Sequence, residues 1–152
     1  MKTKLIIPIA LLCVFCTGCK KHECAELSWT DYNSVEDVWC NFKYYADEYM
    51  THKGDTLKVY GWLYESDIPD TIWYTLTCKK ELQFCHNASL LYSNSYVSCF
   101  LGKHNCLMPE NPYDSLLFVT GTINYYVECG VTAFSIVPTN IKKNVRAKNK
   151  EQ

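Results

Sequence analysis

Ten cysteines stand in a chain of 152 residues. A thiol can close a disulfide, bind a metal as thiolate, or act as a nucleophile. Three of the four histidines lie beside a cysteine, in His22-Glu23-Cys24, Cys85-His86 and His104-Asn105-Cys106. Zinc and copper take such ligands, so an extracytoplasmic metal- or thiol-handling protein is the alternative reading of the chain. Against it, the usual ligand spacing of zinc loops is missing, and an oxidising compartment would use the thiols as disulfides. Beyond Cys19 there is no Cys-x-x-Cys, so a thioredoxin-like role lacks its motif. Gly-x-Ser-x-Gly, His-Glu-x-x-His and a phosphate-binding glycine loop are missing too. Asp47, Glu48, Asp67 and Asp70 are helix-face and turn acids, of a kind usually solvated. The chain is therefore read as non-enzymatic, with no catalytic residue, no cofactor and no metal.

Seven cysteines follow Cys19: Cys24, Cys40, Cys78, Cys85, Cys99, Cys106 and Cys129. An odd number leaves one free, paired between molecules, or buried as a small hydrophobe. Cys78–Cys85 and Cys99–Cys106 are the expected bridges, because each closes a short loop at a strand end. Each would contribute about 2–4 kcal/mol. The second chemical feature is aromatic. Tyr60, Trp62 and Tyr64 alternate along one stretch, and Trp73 and Phe100 join them. Aromatic faces stack on sugar rings or anchor protein partners, so these five residues are the candidate ligand face. The ordinary alternative is that a helix covers them.

The elements that must position these residues follow from periodicity. In SVEDVWCNFKYYADEYM (34–50), Val35, Val38, Trp39, Phe42, Tyr45, Ala46 and Tyr49 recur at helical steps. Ser34 is the expected N-cap, with Glu36 and Asp37 in the first turn. Gly54 stops the helix. Strands are expected at 56–65, 72–78, 95–101, 115–126 and 131–141. In the first, Leu57, Val59 and Leu63 share one face, and Tyr60, Trp62 and Tyr64 the other. Gly61 and Gly121 inside strands predict bulges or sharp bends, and Pro138 an edge or strand end. A helix within 102–114 is disfavoured by its glycine, asparagines and prolines. Five short curved strands after one amphipathic helix predict a mainly β fold, a small five-stranded barrel. A small open antiparallel sheet under the helix is the alternative.

The N-terminus gives the compartment. Lys2 and Lys4 precede an apolar run, LIIPIALLCVF (5–15), and Thr17 and Gly18 precede Cys19. This is the order of a secretory signal peptide, too short for a comfortable membrane span. CTGC at 16–19 resembles the lipobox of bacterial lipoproteins, although Cys16 stands where that family usually has leucine. The resemblance implies a cleaved signal peptide (1–18), an acylated, palmitate-type anchor on Cys19, and a tether over 19–33. Lys20, where aspartate would favour the inner membrane, implies a lipid-anchored protein of the Gram-negative outer membrane, on its periplasmic or surface side.

KVYGWL and FVTGTI share Val-x-Gly-x-aliphatic. Here the chain resembles OB-fold proteins, and among them the tRNA-anticodon-binding-like OB lipoprotein family, over 34–141. The resemblance implies an OB-like barrel with a leading helix. Asp55-Thr56-Leu57, Asp70-Thr71-Ile72 and Asp114-Ser115-Leu116 resemble the Asp-Ser/Thr-apolar acceptor of bacterial O-glycosylation, making Thr56, Thr71 and Ser115 candidate acceptors.

Charge narrows the partners. Without residues 1–18 the chain holds 13 basic and 16 acidic residues, a net of −3. The last eleven residues, 142–152, carry +4 and are expected to be a disordered tail, so 19–141 carries −7. An acidic body argues against nucleic acid, whose affinity rests on Lys and Arg contacts to phosphate. The expected function is a cell-envelope binding or accessory protein with a protein or glycan partner.

Overall fold

A computed structural model describes residues 22–64, 73–85 and 95–144. The expected signal peptide (1–18), Cys19 and residues 145–152 lie outside the described residues; of the expected tail 142–152, Lys142 and Lys143 instead pair with Phe118 and Leu117 as the end of the last strand. Six strands, Asn33–Ser34 (β1), Thr56–Tyr64 (β2), Trp73–Thr77 (β3), Tyr96–Phe100 (β4), Leu117–Glu128 (β5) and Val131–Lys143 (β6), join one sheet. Its order is β1-β2-β3-β4-β6-β5, and a further β2–β5 pairing curls it into a partial ring. The fold is thus mainly β, as expected, but the ring is not a clear barrel. Its thinnest seam is the parallel contact of β4 with β6, a single pair, Cys99↔Ile136. The sixth strand, β1, is a two-residue addition that pairs parallel to β2 through Asn33↔Val59 and Ser34↔Tyr60.

Alternation explains the core. Along β2, Leu57, Val59, Gly61 and Leu63 are buried, and the intervening side chains are not. Tyr74 and Leu76 of β3, Val97 and Cys99 of β4, and Val119 and Ile123 of β5 face the same interior. Burying each such aliphatic side chain is worth about 1.5–3 kcal/mol relative to exposure.

The leading helix forms but breaks. The first part, Val35–Tyr44 (α1), is capped by Ser34, whose hydroxyl accepts from Asp37 N–H at 3.1 Å and donates to Asp37 Oδ2 at 2.6 Å. Tyr45 then leaves helical geometry at φ −126°, and a short second helix, Ala46–Tyr49 (α2), runs into a 3₁₀ turn at Met50–His52. The Tyr45 hydroxyl donates to the His22 carbonyl, which draws this residue towards the strap 22–27 that precedes β1. The apolar stripe lands as the periodicity predicts: Val35, Val38 and Tyr49 are buried, and Trp39, Phe42 and Tyr45 pack against the core. Asn41 is buried with them, its amide donating to Ala25 O and Asp37 O and accepting from Tyr49 O–H.

Of the two strand glycines only Gly121 marks an irregularity, since β2 passes Gly61 in unbroken register with β5. At Gly121 the β5–β6 register shifts, with Thr120 opposite Asn140 and Gly121 opposite Pro138. Pro138 is therefore not at a strand end. It sits within β6 at the irregularity, where a missing N–H costs least. The connection after β4 holds a 3₁₀ stretch, Gly102–Leu107, interrupted at His104, rather than an α-helix.

Candidate binding face

Where α1 packs decides whether the aromatic row is covered. A Cβ on Gly61 would meet Val35 Cγ2 at 2.4 Å. Gly61 shares its face with Val59 and Leu63, so α1 lies on the inner side of the curved sheet. The row Tyr60, Trp62, Tyr64 points the other way and is half-buried. Helix burial and aromatic display thus use opposite faces of one strand.

The five expected aromatics do not form one continuous stripe. Tyr60 stacks on its cross-strand partner Phe118 at 5.7 Å, and Tyr32 meets Phe118 edge-on at 5.0 Å. Tyr64 donates its hydroxyl to Cys85 O at 2.9 Å, which ties it to the turn after β3. Trp73 and Phe100 are direct partners on β3 and β4, 4.8 Å apart. Tyr126 joins them from β5, 6.3 Å from Trp73. Sequence reasoning passed over Tyr126, which is 46 % exposed, although the alternation of INYYVE could have found it. Val127 and Val131, 61 % and 67 % exposed, lie beside the two-residue turn Cys129-Gly130. Both turn residues have positive φ, 50° and 78°, the pattern of a tight hairpin whose twist matches its strands. An aromatic cluster thus adjoins a projecting apolar hairpin end. Trp62 stands apart, with Lys80 Nζ 5.3 Å from its ring centroid. It borders a groove of about 430 Å³ with Asp114, Ser115, Leu116 and Asn144.

The cysteines depart from the expected pairing. The disulfide is Cys24–Cys40, with Cα atoms 5.7 Å apart. Cys78 is a half-buried thiol, Cys99 a buried one and Cys106 an exposed one, so Cys99–Cys106 and Cys78–Cys85 are not formed. Strand parity is the reason in the first case: Cys99 points into the core with Val97, while Cys106 lies outside on the 3₁₀ segment. Cys129, also exposed, occupies the hairpin turn.

Cys99 faces Tyr74 directly across β3 and β4. Burial pushes the Cys99 thiol up to about 12, and the neighbouring tyrosine only partly offsets it. Burial, then the Cys99 thiol, raises the Tyr74 hydroxyl as well. That hydroxyl reaches towards Cys99 without closing a hydrogen bond of normal geometry. The folded chain holds both protons where the unfolded chain would release them. Stability linked to Cys99 is therefore intact below the ordinary thiol value of 9.0 and falls as pH rises above it. In native protein at about pH 8, iodoacetamide is expected to modify Cys106 and Cys129 and spare Cys99, because thiolate and access are both required. Peptide mass mapping checks this, and prompt labelling of Cys99 would contradict its burial.

Among the described residues the Cys-His pairs do not come together. Cys24 is consumed by its bridge, and His22 stacks on Tyr44 at 3.6 Å. His86 lies outside the described residues. Among the described residues no cluster of three His, Cys, Asp or Glu side chains is placed to hold a metal ion. Of the acceptor triplets, Thr56 is exposed at the start of β2, after Asp55, whose carboxylate lies 2.8 Å from His52 Nδ1. Ser115 is half-buried in the Trp62 groove, and Thr71 lies outside the described residues. Among the described residues no helix is long and apolar enough to cross a membrane. No protein-family model matches this chain, and no curated protein sequence matches it.

Proposed function

We propose that this is a lipid-anchored, non-enzymatic accessory protein of the cell envelope, which engages a protein or glycan partner through an outward aromatic face. The observation that carries the reading is the placement of α1. By filling the inner side of the sheet, it leaves Trp73, Phe100 and Tyr126 on the outside, beside the apolar hairpin end. Aromatic clusters of this kind are where binding energy concentrates.

The partial ring is read further as an OB-like barrel. Following β2, the strands run β2-β3-β4-β6-β5 and return to β2, with the β4–β6 contact parallel and the other ring pairings antiparallel. In such barrels the second and third strands carry the ligand face, here β3 and β4 with Trp73 and Phe100. The envelope location rests on the order of residues 1–19 and gains support from Cys24–Cys40, a bond that persists in oxidising compartments.

Two measurements test this. Intact mass of the membrane-extracted protein is expected to fit residues 19–152 plus acyl chains; an uncleaved leader would sink the anchor. Retention of detergent-solubilised envelope components on the immobilised chain is expected to fall about thirtyfold in Trp73→Ala and Phe100→Ala, the effect of a central aromatic anchor. Equal retention by both variants at unchanged thermal stability would remove this face from the function.

A further inference from the structure

The Trp62 groove combines groups that the aromatic cluster does not have. Its volume of about 430 Å³ is that of a small-ligand site. The residues that line it are Trp62, Asp114, Ser115, Leu116 and Asn144, whose types bring an indole, a carboxylate, a hydroxyl and an amide to one groove. Register explains the assembly. Gly61 pairs with Leu117, so Trp62, one residue further along β2, comes beside Leu116 and the two residues before it. Asn144 arrives at the end of β6, its N–H donating to Leu116 O at 3.0 Å. Gln83, fully buried, donates from Nε2 to Tyr113 O at 3.2 Å. That bond ties the turn carrying Lys80 to the residue before Asp114. Lys80 in turn rests its ammonium against the indole.

We propose that this groove is a saccharide-binding site, separate from the Trp73–Phe100–Tyr126 face. The chemistry selects the class. A carboxylate only accepts hydrogen bonds, an amide both donates and accepts, and a hydroxyl does both. Adjacent hydroxyls of a sugar satisfy all three together, while the C–H face of the ring lies on the indole. Phosphorylated or polyanionic ligands would meet the Asp114 carboxylate. A purely apolar ligand would bury that carboxylate unpaired, which is costly. An added peptide strand is disfavoured at this edge, because Leu116 O is already taken by Asn144. The proposal depends on neither the lipid anchor nor the aromatic face.

The test titrates the detergent-solubilised full chain with neutral hexasaccharides (cellohexaose, mannohexaose, maltohexaose and chitohexaose), with a heparin fragment as the polyanionic control. Calorimetry gives the affinity, and the difference in tryptophan fluorescence between wild type and Trp62→Phe isolates the groove. At least one neutral saccharide is expected to bind with millimolar or better affinity and perturb Trp62. Affinity should drop about tenfold in Asp114→Asn, as for loss of one charge-assisted hydrogen bond. Trp62→Ala should weaken binding similarly, Trp62→Phe should retain most of it, and Trp73→Ala should leave it unchanged. Thermal melts of every variant separate lost binding from lost folding. The proposal is overturned if no neutral saccharide binds, if heparin alone binds, or if binding follows Trp73 and not Trp62. A glycan mass on the peptide holding Ser115 in the native protein would also overturn it, since the groove would then be filled by the chain's own modification.

Discussion

Gly121→Ala is expected to cost about 3 kcal/mol of stability, at the upper end of what overpacking does to a well-filled core. A Cβ at this position would lie 2.4 Å from Val137 O, 2.6 Å from Ile136 Cγ2 and 2.9 Å from Pro138 Cα. Two of those three atoms are backbone of β6, held by the longest strand pairing among the described residues. They cannot rotate away, so the methyl group must push β5 and β6 apart where the register already shifts. Gly61→Ala provides the internal comparison. Its nearest obstacle, at 2.4 Å, is Val35 Cγ2, a side-chain methyl on a helix that can shift, with Thr77 O next at 3.0 Å. That variant is expected to lose about 1–2 kcal/mol. Neither glycine has positive φ, so the penalty is one of space and not of torsion. Urea unfolding with an unchanged m-value measures both. If Gly121→Ala unfolds at the same midpoint as Gly61→Ala or above it, the close approach of β6 to Gly121 is wrong.

The contrast between these glycines and the cysteines shows what the sequence carries. Strand alternation is a local signal. It named the inward residues Leu57, Val59 and Leu63, and it flagged Gly61 and Gly121 as bends, of which only Gly121 is an irregularity, without knowing what approaches them. The same parity applied to SYVSCFL places Cys99 with Val97 on the inward side, and would have argued against Cys99–Cys106. That signal was present and was outweighed by loop length. The pairing of Cys24 with Cys40 was not legible, because it depends on α1 docking across the residues that precede it. The Trp62 groove is of the same kind. Its parts come from β2, the segment before β5 and the end of β6, and only the register Gly61↔Leu117 brings them together. The break at Tyr45 likewise escaped the periodicity, since it goes with a hydrogen bond to His22, outside the helix. The ring was legible in part: the number of strands suggests a barrel, and the sheet does curl into a partial ring, but the seam between β4 and β6 is a single pair because it depends on how far a five-residue β4 reaches.

Reducing Cys24–Cys40 is expected to cost about 3 kcal/mol, the loop-closure entropy of a bridge between cysteines 16 positions apart. The bond pins the strap 22–27 to α1 at its middle. On either side of it the Tyr45 hydroxyl holds His22 O and the Asn41 amide holds Ala25 O, while Leu27 is buried in the core. Each of those contacts is a short-range interaction that forms easily only when the strap is already in place. The bridge keeps it there, and so supports Val35 and Val38 against the sheet from the outer side of the helix. If Cys19 carries the anchor, the bridge lies five positions after it and couples the folded domain firmly to the membrane. Cys24→Ala/Cys40→Ala is expected to show the same lowered urea midpoint as reduced wild type, and a reductant added to the double variant should change nothing further. A further drop on reduction would mean that another bridge, such as Cys78–Cys85, holds the native fold. No drop in the double variant would mean that strap and helix stay docked through Tyr45, Asn41 and Leu27 alone.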